Sequence, residues 1–311
     1  MMIQKALHRI RPRNGLDNRF LYYSLLHQGK TGSFAPLFTG ATIRHLPGQN
    51  LAKVELAIPP LTDQRRIADV LSAYDDLIEN NRRRIRLLEQ AARLLYEEWF
   101  VRLRFPRHGH VTTTDRMPEG WERKLAAEVI EINPRNAVQN GTPIRYVPMG
   151  ALSTSGMVVD LSESQTRAEP TPVRFMNGDT LLARITPCLE NGKTGYVNFL
   201  GQDEIGCGST EFVVLRGQEV SSYFTYCLAR TREFRATAIK SMVGSSGRQR
   251  VQVSCLREFV VSVPPASLRK EFDSTCEPLF RQITVLIRQI EMLAKARDFI
   301  LPRLMNGEVV V

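Results

Sequence analysis

A chain of 311 residues can bury one sizeable core and has room for two modules, since domains commonly hold about 100 to 200 residues. It contains no run of roughly 18 apolar residues, and its opening MMIQKALHRIRPRN lacks the apolar middle of a secretory signal, which speaks against a membrane span or export and for the cytoplasm. The net charge of +10 is unevenly spread: residues 1–62 hold eight Lys/Arg against two Asp/Glu, residues 106–266 eighteen against sixteen. Focused positive charge of this kind suits phosphate contacts, with a solvated basic face as the alternative.

In chain order, the first predicted element is the helix-like FLYYSLL at 20–26. Its apolar face is expected to stay exposed or to seek another surface, leaving residues 1–50 poorly stable. VELAIPP at 54–60 follows as a short strand ended by a proline pair, after which LTDQ supplies helix-starting residues. The hydrophobic period then changes from two to about three and a half, with Ile67, Leu71, Tyr74, Ile78, Asn81, Ile85, Leu88, Ala92, Leu95 and Trp99 forming an a/d seam. This predicts a long helix within 63–104.

FPRHGHVTTTDR reads as a linker in which His108 and His110 flank a glycine and are solvated rather than metal-bound. Within 105–266 the strand-like runs IRYVPM, GDTLLARI, KTGYVNFL and TEFVVLRG, separated by glycine and asparagine turns, predict an α+β domain with a mostly antiparallel sheet. Residues 230–250 are basic, with Arg230, Arg232, Arg235, Lys240, Arg248 and Arg250 against Glu233 alone. FVVSVPP at 259–265 then repeats the strand and proline pair, and a second long helix is predicted over 267–306. Its seam runs Phe272, Cys276, Leu279, Ile283, Leu286, Ile290, Leu293, Arg297, Ile300 and Leu304, and Pro278 is expected to kink or delay it.

A shift of 205 positions lays Pro59 and Pro60 on Pro264 and Pro265, and Ile67, Ile78, Ile85 and Leu88 on Phe272, Ile283, Ile290 and Leu293. A period this long marks a duplicated module rather than a solenoid. Helices of some 35 residues are about 50 Å long, and neither buries its seam alone. They are therefore expected to pack on each other through Ile67, Leu71, Ile78, Ile85, Leu88, Leu95, Ile283, Ile290, Leu293 and Ile300, in an orientation the sequence leaves open, with ordinary core packing as the alternative. The first copy is shorter, and residues 1–62 are expected to be the C-terminal part of a module whose front is missing.

The residues that invite chemistry lie in and around GSSGRQRV at 244–251. Ser245, Ser246, Arg248, Gln249 and Arg250 combine hydroxyls, cations and an amide on a flexible loop. The arginines suit phosphates or guanine edges, and Gln249 carries the paired donor and acceptor that an adenine edge needs. A glycine-rich turn with solvated arginines is the alternative. Lys240, and Arg184 and Lys193 flanking TPCLENG, are further candidates, although an ion pair with Glu190 or Glu211 competes for Arg184.

Catalytic patterns are not found. INPRN at 132–136 is not an N-P-P-[YF] methylation motif, and NGKTG at 191–195 ends like a phosphate-binding loop but has Pro187 where the first glycine belongs. No Ser/His/Asp or Cys/His arrangement stands out. Cys188, Cys207, Cys227, Cys255 and Cys276 are odd in number and without C-x-x-C spacing, and read as buried small hydrophobes rather than a disulfide framework or zinc site. No catalytic residue, cofactor or metal is expected.

PEGWERKLAAEVIEINP at 118–134, GDTLLARITPCLENGKTGYV at 178–197, GSTEFVVLR at 208–216, GSSGRQRV at 244–251 and the twice-used strand, proline pair and long helix together resemble the specificity (S) subunits of type I restriction-modification systems. The resemblance covers nearly the whole chain. It implies a non-catalytic protein that reads double-stranded DNA: each target recognition domain reads half of a bipartite site, and the paired helices act as a spacer. Methyltransferase (M) subunits dock near those helices and restriction (R) subunits join later. The chain departs from that plan by starting inside the last third of the first recognition domain. The alternatives are a truncated, non-specific coiled-coil scaffold or decayed gene product, and a homodimer in which two short chains create a symmetric target.

Overall fold

The computed structural model describes residues 7–40, 44–114, 117–138, 141–245 and 247–309. Its helices are α1 (Asn18–Lys30), α2 (Gly48–Leu51), α3 (Leu61–Tyr96), α4 (Ala126–Val129), α5 (Ser222–Arg230), α6 (Arg232–Lys240), α7 (Val253–Arg257) and α8 (Ala266–Met305). The chain divides into two compact units, residues 1–83 with 288–311, and residues 84–287, so that each unit holds part of both long helices.

In the first unit the proline pair does what its chemistry dictates. Neither ring nitrogen can donate to a strand ladder, and the Pro60 carbonyl accepts from Asp63 N at 2.9 Å and Gln64 N at 3.0 Å, opening α3. The Gln64 side chain, 1% exposed, accepts from Asp17 N at 2.8 Å and donates to the carbonyls of Gly15 and Pro59. Asp17 in turn caps α1 by accepting from Arg19 N and Phe20 N. One buried amide thus fixes the starts of two helices to each other.

Phe20 and Tyr23 of α1 then pack with Ile67, Ala68 and Leu71 of α3 and with Leu301 and Leu304 of α8. Of the two outcomes expected for the apolar face of FLYYSLL, exposure or another surface, the second holds: Phe20, Leu21 and Tyr23 are buried, and only Tyr22 of residues 20–23 points outward. The cause is the end of α8, nearly 300 residues along the chain, which supplies the cover. Asn81 Nδ2 donates to Gln289 Oε1 at 3.3 Å, and Arg297 pairs with Asp75, which also accepts from the Tyr23 hydroxyl at 2.6 Å. As one helix number rises the other falls, so α3 and α8 pack antiparallel. The polar seam positions Asn81 and Arg297 do not meet; each finds its own partner. Ile67, Leu71 and Ile78 are buried, while Ile290, Leu293 and Ile300 are half-buried.

In the second unit, strands β4 (Ile130–Ile132), β11 (Phe212–Gly217), β8 (Thr180–Ala183) and β9 (Thr194–Tyr196) form one antiparallel sheet in that order. A second sheet runs β6 (Gln165–Arg167), β5 (Ile144–Val147), β10 (Gly206–Gly208) and β7 (Arg174–Phe175), with β5 and β10 the one parallel pair among the described strands. The remaining strands pair β1 (Thr113–Thr114) with β2 (Met117–Pro118), and β3 (Glu122–Leu125) with β12 (Val260–Val263). Val147 and Phe175 from one sheet share a core with Leu181, Phe212 and Val214 from the other. The fold is therefore α+β, with long helices and mostly antiparallel sheets, as the sequence predicts.

The end of α3 and the start of α8 pack against this domain. A π turn at Glu97–Val101 carries Trp99 and Phe100 into an aromatic cluster with Tyr96, Phe224 and Phe272, ring centroids 4.8 to 6.3 Å apart. Ile85 and Ile283 are buried. Leu88 and Leu95 are half-buried, and their neighbours Glu89 and Tyr96 take the inward positions. A helix of 3.6 residues per turn drifts relative to a strict 3.5 repeat, which moves the inward stripe by one residue over this distance. The expected effect of Pro278 is also corrected: α8 is unbroken from Ala266, with Pro278 on its exposed side and Phe272, Cys276, Phe280 and Ile283 buried on the other.

Candidate nucleic-acid interface

The candidate site is built on the ends of strands rather than on a free loop. In the β8–β11 ladder Ala183 faces Phe212, so Arg184 and Glu211 are the next cross-strand pair, and Arg184 N donates to the Glu211 carbonyl at 3.0 Å. Residue 250 is laid on the same edge: Ile185 and Arg250 form an antiparallel bridge, and Val251 N donates to the Arg184 carbonyl at 2.9 Å. Thr186 grips Gln249 twice, donating from its N–H to the Gln249 carbonyl and accepting Gln249 N on its hydroxyl, both at 3.0 Å.

Loop 244–250 closes on itself as well. Val243 and Arg250 exchange backbone hydrogen bonds, and Arg248 N donates to the Ser245 carbonyl. Gly244 has φ +133°, and a Cβ there would approach the Arg248 carbonyl oxygen at 2.9 Å, so a side chain at this position is excluded both by conformation and by space.

The side chains then divide into two groups. Glu211 accepts from Arg250 Nε at 3.0 Å and Nη2 at 2.6 Å, and from Arg184 Nε at 3.3 Å. The Arg250 hydrogen bonds outweigh burial, which acts the other way, and hold the Glu211 carboxyl below its ordinary range; the same carboxylate raises Arg250. The second group is uncommitted: Arg248 is exposed and its guanidinium makes no hydrogen bond or ion pair among the described residues; Lys240 is exposed at the end of α6. Ser245 is exposed, Gln249 is half-buried, and Ser246 lies outside the described residues.

Lys193 and two cations of the basic stretch serve the scaffold instead. Lys193 Nζ donates to the Met149 carbonyl at 2.9 Å. Arg230, 8% exposed, donates to Gly192 O, and Arg235 donates to the carbonyls of Leu189 and Glu190, so both guanidiniums hold the turn that follows Thr186. Burial, then Arg230 and Arg93, lower Arg235. The structure thus brings Arg184, Gln249 and Arg250 together and leaves Lys193 engaged elsewhere. Sequence reasoning missed Glu211 as the partner of Arg250 and Thr186 as the anchor of the loop; neither is signalled by spacing, because both act across strands.

Among the described residues no group of three or more His, Cys, Asp or Glu is placed to hold a metal ion, and no helix is long and apolar enough to cross a membrane.

Comparison with known proteins gives this arrangement a context. Residues 2–90 match the family model described as the type I restriction modification DNA specificity domain. The specificity subunit of the type I restriction enzyme MjaIX of Methanocaldococcus jannaschii is 25% identical over 317 residues, covering 98% of this chain and 72% of that one. The EcoEI specificity subunit of Escherichia coli is 30% identical over 181 residues, covering 56% of this chain and 30% of that one. The crystal structure of a type I restriction-modification S subunit from M. genitalium shares the fold, with a TM-score of 0.51 at 18% identity over 93% of this chain and 73% of its own. With the twice-used proline-pair and helix unit and the α+β domain between its copies, these likenesses make the chain similar to the specificity subunits of type I restriction-modification systems.

Proposed function

We propose that residues 105–266 form a target recognition domain that reads one half-site of double-stranded DNA, through the platform of Arg184, Gln249 and Arg250 with Arg248 and Lys240 as phosphate contacts. In this reading residues 1–62 correspond to the C-terminal part of another such domain, and 63–104 and 267–306 are the spacer helices. The observation that carries the proposal is that Thr186 and Glu211 fix loop 244–250 to the end of a central strand, so that a glycine-rich cationic loop is presented on a rigid support. A loop that merely turned the chain would need no such anchoring of its side chains.

The same reading has the chain act in the cytoplasm, docking M subunits on its long helices, with R subunits joining the complex. Met292 and Phe299 lie one heptad apart on α8, 70% and 63% exposed, and offer apolar area for that docking. The test is binding of the chain, co-purified with the M subunit of its own system, to random-sequence duplexes over a range of salt. An enriched motif, with affinity falling steeply as salt rises, is the expected result. Binding without any enriched motif would favour a non-specific scaffold, and a palindromic motif with a dimeric mass would favour paired chains.

A further inference from the structure

We infer that Arg250 reads a guanine and that Glu211 is the residue that turns it from a phosphate clamp into a base reader. This rests on the assignment of residues 105–266 to DNA recognition and names the chemistry of that site. A guanidinium is planar and carries five N–H groups in a fixed fork. The Glu211 carboxylate occupies one edge of the Arg250 fork, accepting from Nε at 3.0 Å and from Nη2 at 2.6 Å. With that edge taken the plane of the group is set. What remains is the terminal edge, formed by Nη1 and the outer hydrogen of Nη2, which has no partner among the described residues.

Two parallel donors on one edge complement two acceptors side by side, and in the major groove that pair is O6 and N7 of guanine. Adenine sets a donor beside its N7, and neither pyrimidine presents two acceptors. The side chain of Arg250 is 45% exposed, so the free edge is within reach of a duplex.

Charge points the same way. Arg250 and Glu211 cancel, and Arg184 shares the same carboxylate at 3.3 Å, so three ionic groups carry a single net positive charge. Phosphate affinity grows with charge, whereas base readout requires geometry. A cation meant for the backbone gains nothing from a carboxylate beside it. Arg248 shows the contrast: it is exposed, and among the described residues its guanidinium has no partner to hold its plane and no carboxylate beside it.

The backbone that carries the carboxylate is fixed. Glu211 N is held by the Ser209 hydroxyl at 3.2 Å and its carbonyl by Arg184 N at 3.0 Å, and the next residue, Phe212, is 1% exposed in the core. The reading edge is thereby referenced to a sheet strand, two bonds of the network away from the packed interior.

The experiment is selection of random-sequence duplexes by the full chain in complex with its M subunit, comparing wild type with Arg250→Lys and Glu211→Gln, together with the salt dependence of binding. Lysine keeps the charge and loses the fork, so preference for guanine at one position should fall about tenfold while the other positions and the salt slope hold. Glutamine leaves the fork unrestrained and adds one net positive charge, so non-specific binding should strengthen, the salt slope should steepen by about one, and the same guanine position should relax. An unchanged motif with Arg250→Lys, or a relaxed position that is not guanine, overturns the guanine assignment while leaving the DNA-reading function intact. Failure of the wild type to enrich any motif overturns both.

Discussion

The Tyr226 hydroxyl donates to Glu89 at 2.6 Å, and the same carboxylate accepts Met157 N at 2.9 Å while only 3% exposed. A residue of the long helix α3 thereby satisfies a helix side chain and a loop backbone of the α+β domain. Glu89→Ala would leave both donors buried without an acceptor. Removal of a charged hydrogen-bond partner from such a site costs about 3 kcal/mol, and Tyr226→Phe about 1 to 2 kcal/mol. Urea unfolding of the two variants checks this, and equal, negligible shifts would show that Glu89 is a bystander.

Arg248 is expected to act on affinity and not on sequence preference. Arg248→Ala should weaken binding to all duplexes alike and reduce the salt slope by about one, the signature of a lost phosphate contact. Titration of specific and scrambled duplexes at several salt concentrations separates this from a base contact, which would weaken the specific duplex alone.

The Glu211 carboxylate has its native pKa lowered, chiefly by hydrogen bonds from Arg250, relative to an ordinary value of 4.5. A group depressed in the folded state adds stability that is complete above its ordinary value and is lost as pH falls through the lowered native value. Acid unfolding of the wild type should therefore contain a component below about pH 4.5 that Glu211→Gln removes, with little difference between the two slopes above that pH. A Glu211→Gln variant with the same acid limb as wild type would show that the ion pairs contribute nothing to folding.

Much of this architecture was legible in the residues because it is written in local period. The proline pairs, the heptad-like seam and the glycine-punctuated strands gave the α+β class and the order of most elements, whereas the strand expected at VELAIPP, 54–60, does not form. What stayed hidden depends on contacts between distant segments. Which surface covers FLYYSLL is not written near it, because Leu301 and Leu304, which do so, lie at the other end of the chain. Pro278 looked disruptive because sequence does not say which side of a helix faces solvent. At the candidate interface the loop itself was visible by composition, and the ion pair of Arg184 with Glu211 was one of the readings considered. The second role of Glu211, on Arg250, was not visible, since cross-strand register is set by the whole sheet.

Docking of M subunits on α8 can be tested apart from DNA binding. Phe299 is 63% exposed, with the Arg303 guanidinium 4.1 Å from its ring centroid, and Met292 is 70% exposed. Phe299→Glu places a charge on that apolar area and should reduce co-purification of the M subunit by tenfold or more, while changing the melting temperature little because the residue is not in the core. Undiminished co-purification would place the docking surface elsewhere.

Strands β3 and β12 are hydrogen-bonded neighbours, with Glu122 opposite Val263 and Leu125 opposite Val260. The polypeptide therefore enters and leaves the α+β domain through one doorway. A segment whose two ends meet can be replaced by another of different length or sequence without rerouting its flanks. Given the DNA-reading role proposed for this domain, evolution can in this way trade one DNA vocabulary for another while the helical framework keeps its grammar.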